Sequence, residues 1–118
     1  GKSVFETMLK SSNNDIQLVF AQNDEMGLGA AQAAEEAGLV VGEDVKIATI
    51  DGTKNAMQAL ADGQLSYVHE YNPLFGETAL EVVEKALAGE EVESYIVVPS
   101  EAFDSAEAAQ AVLADRKY

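Results

Sequence analysis

Four short apolar runs alternate with longer segments whose apolar residues recur at helical spacing. The apolar runs, which predict β-strands, cover residues 16–21, 45–50, 65–71 and 94–98. The helical segments cover residues 5–10, 24–38, 54–60, 74–87 and 104–115. The first run is apolar enough to be covered on both faces. Strands that alternate with helices predict an α/β fold, an open, mostly parallel sheet with right-handed crossovers and helices on both faces.

Residues suited to capping stand at three of the predicted helix starts. Asn23 or Asp24 can cap the second helix, and Thr53 can cap the third, because their side-chain oxygens accept N–H groups of the first turn. Asp104 with Glu107 resembles a capping box for the last helix. These positions predict where each strand gives way to the helix that follows.

Two polar residues occupy equivalent places, because Asn23 and Asp51 each lie just beyond the carboxyl end of an apolar strand. In an open α/β sheet, ligands bind at that edge. The Asn23 amide both donates and accepts hydrogen bonds, and the Asp51 carboxylate accepts charge-assisted ones. Structural roles fit the same residues, Asn23 as a helix cap and Asp51 with Gly52 as an Asx-turn. The residues alone leave both interpretations open.

The composition argues against several classes of function. Only 7 Lys and Arg residues stand against 21 Asp and Glu residues, and a net charge of −14 argues against a nucleic-acid partner. The single histidine, His69, has no cysteine or second histidine to complete a metal site or a catalytic triad, so neither a metal nor an enzyme is predicted. Gly27 and Gly29 lie inside a helix rather than at its start, so no dinucleotide or other cofactor is expected.

Five motifs, in this order and spacing, resemble the C-terminal half of bacterial periplasmic sugar-binding proteins of the ribose-binding type. They are VFAQNDEMGLGA at 19–30, IDGT at 50–53, ALADG at 59–63, NP at 72–73 and ALAG at 86–89. Further segments are similar to the galactofuranose-binding branch, namely residues 5–10, 13–16, 50–54 and 115–118. The resemblance covers nearly the whole chain.

The resemblance implies two α/β lobes joined by three crossing strands, with the sugar held in the cleft between them. Residues 1–118 would be the C-terminal part of such a protein, and the start at Gly1 without a signal peptide agrees with a piece of something longer. The chain would cross to the missing N-terminal lobe near Asn72–Pro73 and return near Pro99. Residues 73–98 would then pack on that lobe, and without it their apolar stripe is expected to favour self-association.

The resemblance also implies a site and a function. Asn23 and Asp51 match sugar contacts of the family, whereas Tyr71 stands where ribose binders carry glutamine, so Tyr71, its neighbour Asn72 and Glu70 are all candidates for a third contact. The implied function is to bind a monosaccharide, a pentose or hexose in pyranose or furanose form, and to deliver it to the permease of an ABC transporter. The implied location is the periplasm, or the outside of a Gram-positive cell on a lipid anchor. The alternative is the effector-binding domain of a lactose-repressor-type regulator.

Overall fold

A computed structural model describes all 118 residues as four strands and five helices. The helices are α1 Lys2–Ser11, α2 Asp24–Glu36, α3 Lys54–Ala61, α4 Gly76–Ala88 and α5 Ala106–Leu113. The strands are β1 Leu18–Phe20, β2 Lys46–Asp51, β3 Tyr67–Glu70 and β4 Ala102–Phe103, in the order β1-β2-β3-β4. The first three are parallel, and β4 runs antiparallel to β3. The predicted open, mostly parallel α/β sheet is confirmed.

The two faces of the sheet have different surroundings. Ile47, Thr49 and Val68 point to one face and are completely buried. On this face α2 and α3 pack against the sheet, with α1 beside α2 and α5 beside α3. Leu18 and Phe20 point to the other face and are 66% and 64% exposed. The prediction that the first strand is covered on both faces is therefore wrong, because within these residues no helix packs over Leu18 and Phe20.

The glycine at position 27 reflects how closely α2 approaches the sheet. A Cβ atom on Gly27 would lie 2.0 Å from the Cγ2 atom of Thr49 in β2, so a larger side chain would push the helix away. Alanines at other α2 positions let the same helix bury Ala30 and Ala34 in the core. Gly27 therefore serves close packing inside a helix.

Three helix starts are capped by side chains. Asn23, Thr53 and Ser105 each accept a hydrogen bond from the backbone N–H three residues later. The predicted caps at Asn23 and Thr53 are confirmed. The predicted capping box at Asp104 is wrong by one residue, because Ser105 adopts the extended cap conformation and α5 starts after it. None of the five helices is long and apolar enough to cross a membrane.

Residues 73–98 form an arm that leaves the lobe, which comprises residues 1–72 and 99–118. No residue of α4 is buried. The segment that follows α4 runs back along it, and Ile96 and Val98 of this segment line one cavity with Phe75 and Val83. The predicted strand at 94–98 is wrong, because no neighbouring strand is present to pair with it. The molecule measures 60 × 31 × 17 Å, and its radius of gyration of 17.9 Å exceeds the 13–14 Å or so of a compact chain of this length.

Candidate functional site

The structure brings Asn23 and Asp51 to one edge of the sheet. Phe20 of β1 pairs with Ala48 of β2 in parallel register, so Asn23 and Asp51 lie three residues beyond the same paired position. The pairing continues one residue past the end of β1, because the Ala21 N–H donates to the Ala48 carbonyl oxygen at 2.8 Å. Both residues therefore stand at the carboxyl ends of adjacent parallel strands, where α/β sheets bind ligands.

Asn23 acts as a cap at this edge. Its backbone is extended, with φ of −153°, and its Oδ1 atom accepts the N–H of Met26 at 2.9 Å. The side-chain Nδ2 group makes no hydrogen bond within the chain. The capping role is thus present in the structure, and it leaves two N–H donors of a half-buried amide free at the sheet edge.

Asp51 occupies an unfavourable place for a carboxylate. Its φ of +131° is rare for a residue other than glycine, and it is followed by Gly52 with φ of +81°. Burial raises the pKa of Asp51, and the negative charge of Asp24 raises it further. A contact from the backbone N–H of Asp24 favours the charged form but does not offset these effects. The carboxylate is therefore poorly satisfied by the chain itself and suited to accept donors from a ligand.

Asp24 organises this edge, a role that the sequence did not reveal. It is completely buried, and its oxygens accept hydrogen bonds from the hydroxyl of Thr49 at 2.7 Å and from the N–H and hydroxyl of Thr53 at 2.7 and 2.9 Å. These bonds tie the start of α2 to the end of β2 and the start of α3. Asp24 therefore brackets the turn that carries Asp51. Its only sequence signal, an acidic residue at a helix start, is equally typical of a cap.

Tyr71 and Asn72 lie differently with respect to Asp51. The Tyr71 N–H donates to the carbonyl oxygen of Asp51 at 2.9 Å, and the Tyr71 side chain is 70% exposed beside that edge. Asn72 faces the root of the arm, where its Oδ1 accepts the N–H of Leu74 at 2.8 Å and its Nδ2 lies 3.5 Å from the carbonyl oxygen of Pro99. The structure thus joins the Tyr71 backbone to Asp51, while the Tyr71 side chain lines a cavity with residues of the arm. The Asn72 side chain is used where the arm leaves the lobe and returns to it.

Glu70 points away from Tyr71, as the alternation of a strand requires. It is buried, and its Oε1 atom accepts hydrogen bonds from Arg116 and from the hydroxyl of Tyr118, the latter at 2.6 Å. Burial by itself would raise the pKa of Glu70, but these two donors and the guanidinium charge outweigh it and hold the pKa below its ordinary value. Glu70 is thus engaged within the fold, and its side chain points to the opposite face of the strand from that of Tyr71.

The edge offers an amide, a carboxylate and a phenol, held by backbone and buried side chains. Such groups form hydrogen bonds with hydroxyl groups in both directions, which suits a small polyhydroxylated ligand. Asn23, Asp51 and Tyr71 provide no nucleophile paired with a base. Since Tyr71 is open to solvent, this edge is an open surface and not an enclosed cavity.

Comparison with known proteins gives consistent matches. A family model described as a periplasmic binding protein domain matches residues 1–91. The chain is 55% identical over 103 residues to the fructose import binding protein FruE of Bifidobacterium longum, covering 87% of this chain and 31% of FruE. It is 39% identical over 87 residues to the galactofuranose-binding protein YtfQ of Escherichia coli, covering 72% of this chain and 27% of YtfQ.

A solved structure from Mycobacterium smegmatis, in complex with β-D-fucofuranose, superposes with a TM-score of 0.88. The two sequences are 50% identical, and the match covers 99% of this chain and 38% of that one. The matched segments span less than a third of the length of each of the two curated relatives. The family match over residues 1–91 and the structural match over nearly all residues point to the same kind of protein. The chain belongs to the periplasmic binding protein domain family.

Proposed function

We propose that this chain is the C-terminal part of a solute-binding protein of an ABC importer, and that it binds a monosaccharide between two lobes. The observation that carries the proposal is the placement of Asn23 and Asp51 together at the carboxyl ends of β1 and β2. Relatives named for fructose import and for galactofuranose binding support a sugar ligand, and they favour transport over a lactose-repressor-type role. The β-D-fucofuranose in the Mycobacterium smegmatis structure supports the furanose form.

Each edge residue has a distinct task in this proposal. Asp51 accepts hydrogen bonds from two sugar hydroxyls, which supply the donors that the chain itself lacks. The free Nδ2 group of Asn23 donates to a sugar oxygen while its Oδ1 remains the helix cap. Tyr71 contributes an exposed aromatic ring and hydroxyl at the same edge. Hydrogen bonds to a charged carboxylate contribute about 1.5–3 kcal/mol each, so Asp51 is the principal contact.

The arm has a structural task in the same proposal. Residues 73–98 pack on an N-terminal lobe, which the unmatched two-thirds of the relatives' length is large enough to supply. The arm leaves and returns at one place, where Asn72 meets Pro99, so the crossing there can act as a hinge that closes the lobes on the sugar. In the isolated chain, the exposed apolar residues of the arm favour association with a second copy.

The proposal extends to location and partner. A sugar-loaded, closed protein is delivered to the membrane permease of the importer. The protein acts in the periplasm, or outside a Gram-positive cell on a lipid anchor. The net charge of −14 keeps such an exported protein soluble at high concentration.

A graft onto FruE tests this function. The present chain replaces the matched 31% of FruE, and the graft is titrated by calorimetry with D-fructose, D-fucose, D-galactose, L-arabinose and D-ribose. We expect at least one sugar to bind the graft, and the 118-residue chain alone to bind the same sugar far more weakly, because half of the enclosing surface is missing. A folded graft that binds none of these sugars, or micromolar binding by the chain alone, would contradict the proposal.

A further inference from the structure

The last residues of the chain reach back to the strand end beside the ligand edge. Arg116 and Tyr118 donate hydrogen bonds to the same carboxylate oxygen of Glu70. The Arg116 side chain is only 6% exposed, and its guanidinium lies 5.2 Å from the ring centre of Phe103 and 5.1 Å from that of Tyr118. The carbonyl oxygen of Tyr118 accepts the N–H of Lys54 at 2.6 Å. The tail is thereby fixed to β3, to β4 and to the start of α3.

Glu70 in turn lies directly against the turn that carries Asp51. The two residues are paired in the β2–β3 register. A Cβ atom on Gly52 would lie 3.2 Å from the Cα atom of Glu70, so the backbone of the turn rests on Glu70. The next residue, Tyr71, donates its N–H to the carbonyl oxygen of Asp51 at 2.9 Å. The position of Glu70 is therefore transmitted to Asp51 through contact and through one backbone hydrogen bond.

The Asp51 turn needs support from both sides. Its φ of +131° is unfavourable, and such a conformation persists only where the surroundings hold it. Asp24 holds one side through its three hydrogen bonds to Thr49 and Thr53. Glu70 holds the other side, and the side-chain donors that fix the Glu70 carboxylate are those of the tail.

The way Arg116 is buried also calls for an explanation. Its Nε and Nη2 atoms are buried without a hydrogen-bond partner, which a folded protein normally avoids. An apolar residue could fill the space between two aromatic rings without leaving such donors unpartnered. Arg116 instead directs its third nitrogen, Nη1, to Glu70 and to the hydroxyl of Tyr118. This arrangement favours a role in holding Glu70.

We infer that Arg116 and Tyr118 are positioning residues for the sugar site: by clamping Glu70, they hold the Asp51–Gly52 turn in its binding conformation. The inference rests on the proposed function for the meaning of Asp51, but the clamp itself is a property of this chain. Neither residue contacts the sugar, because the Glu70 side chain points away from the edge where Tyr71 lies.

The experiment compares two neighbouring substitutions in the 118-residue chain. Arg116→Met keeps a long apolar side chain between the rings but removes the guanidinium. Lys117→Met removes a positive charge from the adjacent, exposed residue and is the matched control. Carboxyl-carbon NMR follows the titration of Asp51, and backbone NMR follows the Gly52 N–H signal. The same variants in the FruE graft are titrated with the sugar that the unaltered graft binds.

In Arg116→Met we expect the Gly52 signal to shift and the pKa of Asp51 to move toward its ordinary value, as the turn relaxes to a less buried position farther from Asp24. Sugar affinity of the graft should fall about tenfold, the equivalent of one hydrogen bond. Lys117→Met should leave all three unchanged. Tyr118→Phe, which removes one donor to Glu70 and keeps the ring, should shift the NMR signals in the same direction by less.

An unchanged Asp51 titration and Gly52 signal in a folded Arg116→Met chain would overturn the inference, as would equal effects of Lys117→Met. If Arg116→Met does not fold, Tyr118→Phe decides, and an unmoved Asp51 in that variant overturns the inference too. The NMR measurements need no sugar. A clamp seen by NMR in a chain whose unaltered graft binds no sugar would therefore contradict the proposed function and leave the clamp standing.

Discussion

The apolar residues of the lobe are largely buried, whereas those of the arm are largely exposed. In the lobe, helix α3 buries Met57 completely, and the sheet buries Val68 beneath it. In the arm, Leu80 is 58% exposed and Val83 is 52% exposed, although α4 carries an apolar stripe as regular as that of α3. Sequence periodicity therefore predicts both helices equally well. What covers them differs, because the lobe carries its own partner surfaces and the arm does not.

This difference shows which part of the chain can be stable alone. A helix of 13 residues without tertiary packing is marginal in water, and we propose that α4 is stabilised by a surface outside these residues. The lobe contains one continuous core that joins α1, α2, α3, α5 and the sheet. In the proposed function the arm packs on another lobe, whereas the core of this lobe is complete within these residues.

The largest expected effect is a contrast in amide hydrogen exchange. In dilute solution, the N–H groups of α4 should exchange within about tenfold of unfolded rates, because an unpacked helix opens readily. Those of α2, which lie against the sheet, should exchange only on global unfolding, at a cost of about 5–15 kcal/mol. Mass spectrometry of peptides from each helix measures the contrast. Strong, concentration-independent protection of α4 would show that the arm is packed within the chain.

A pair of matched truncations sharpens the contrast in stability. Met57→Ala removes a fully buried side chain from α3 and should lower the free energy of unfolding by about 2–5 kcal/mol. Leu80→Ala shortens an exposed side chain of α4 and should change it by no more than about 0.5 kcal/mol. Urea denaturation of both variants gives the two values. Similar losses would mean that α4 contributes to the core.

The stability that Glu70 contributes, close to where the arm leaves the lobe, should be lost in acid. The pKa of Glu70 is held below its ordinary value in the folded chain, so its contribution to stability is present above the ordinary pKa and is lost as the pH falls through the folded one. Between pH 7 and about pH 3, the unaltered chain should lose more stability than Glu70→Gln. Denaturation curves at both pH values test this, and equal losses would refute it.

For Asp51, the dependence of stability on pH has the opposite sign. The raised pKa of Asp51 means that its charged form opposes folding, and this penalty grows as the pH rises through the folded pKa. Asp51→Asn tolerates the same backbone conformation without the charge. It should therefore stabilise the chain at pH 7, with no gain at low pH. A melting temperature lowered at pH 7 would show that Asp51 is a stabilising residue instead.

How much the sequence could predict follows from the range of each interaction. The strand ends alone predict that Asn23 and Asp51 lie at one edge of the sheet, because parallel strands bring equivalent positions together. The prediction of a strand at 94–98 is wrong, because β-branched residues form a strand only where a neighbouring strand is present to pair with them. The contacts of Glu70 with Arg116 and Tyr118 span more than 40 residues of sequence, and no local pattern signals them.

The central claim is that Asp51 accepts hydrogen bonds from a sugar at the carboxyl edge of the sheet. Calorimetry on the FruE graft tests it most directly. Asp51→Ala should weaken sugar binding about 10–100-fold, the loss of one or two charge-assisted hydrogen bonds. Asp104→Ala makes the same change at the opposite edge, since β4 runs antiparallel to β3, and should leave the affinity unchanged. Equal affinity of the Asp51→Ala graft and the unaltered graft would contradict the claim.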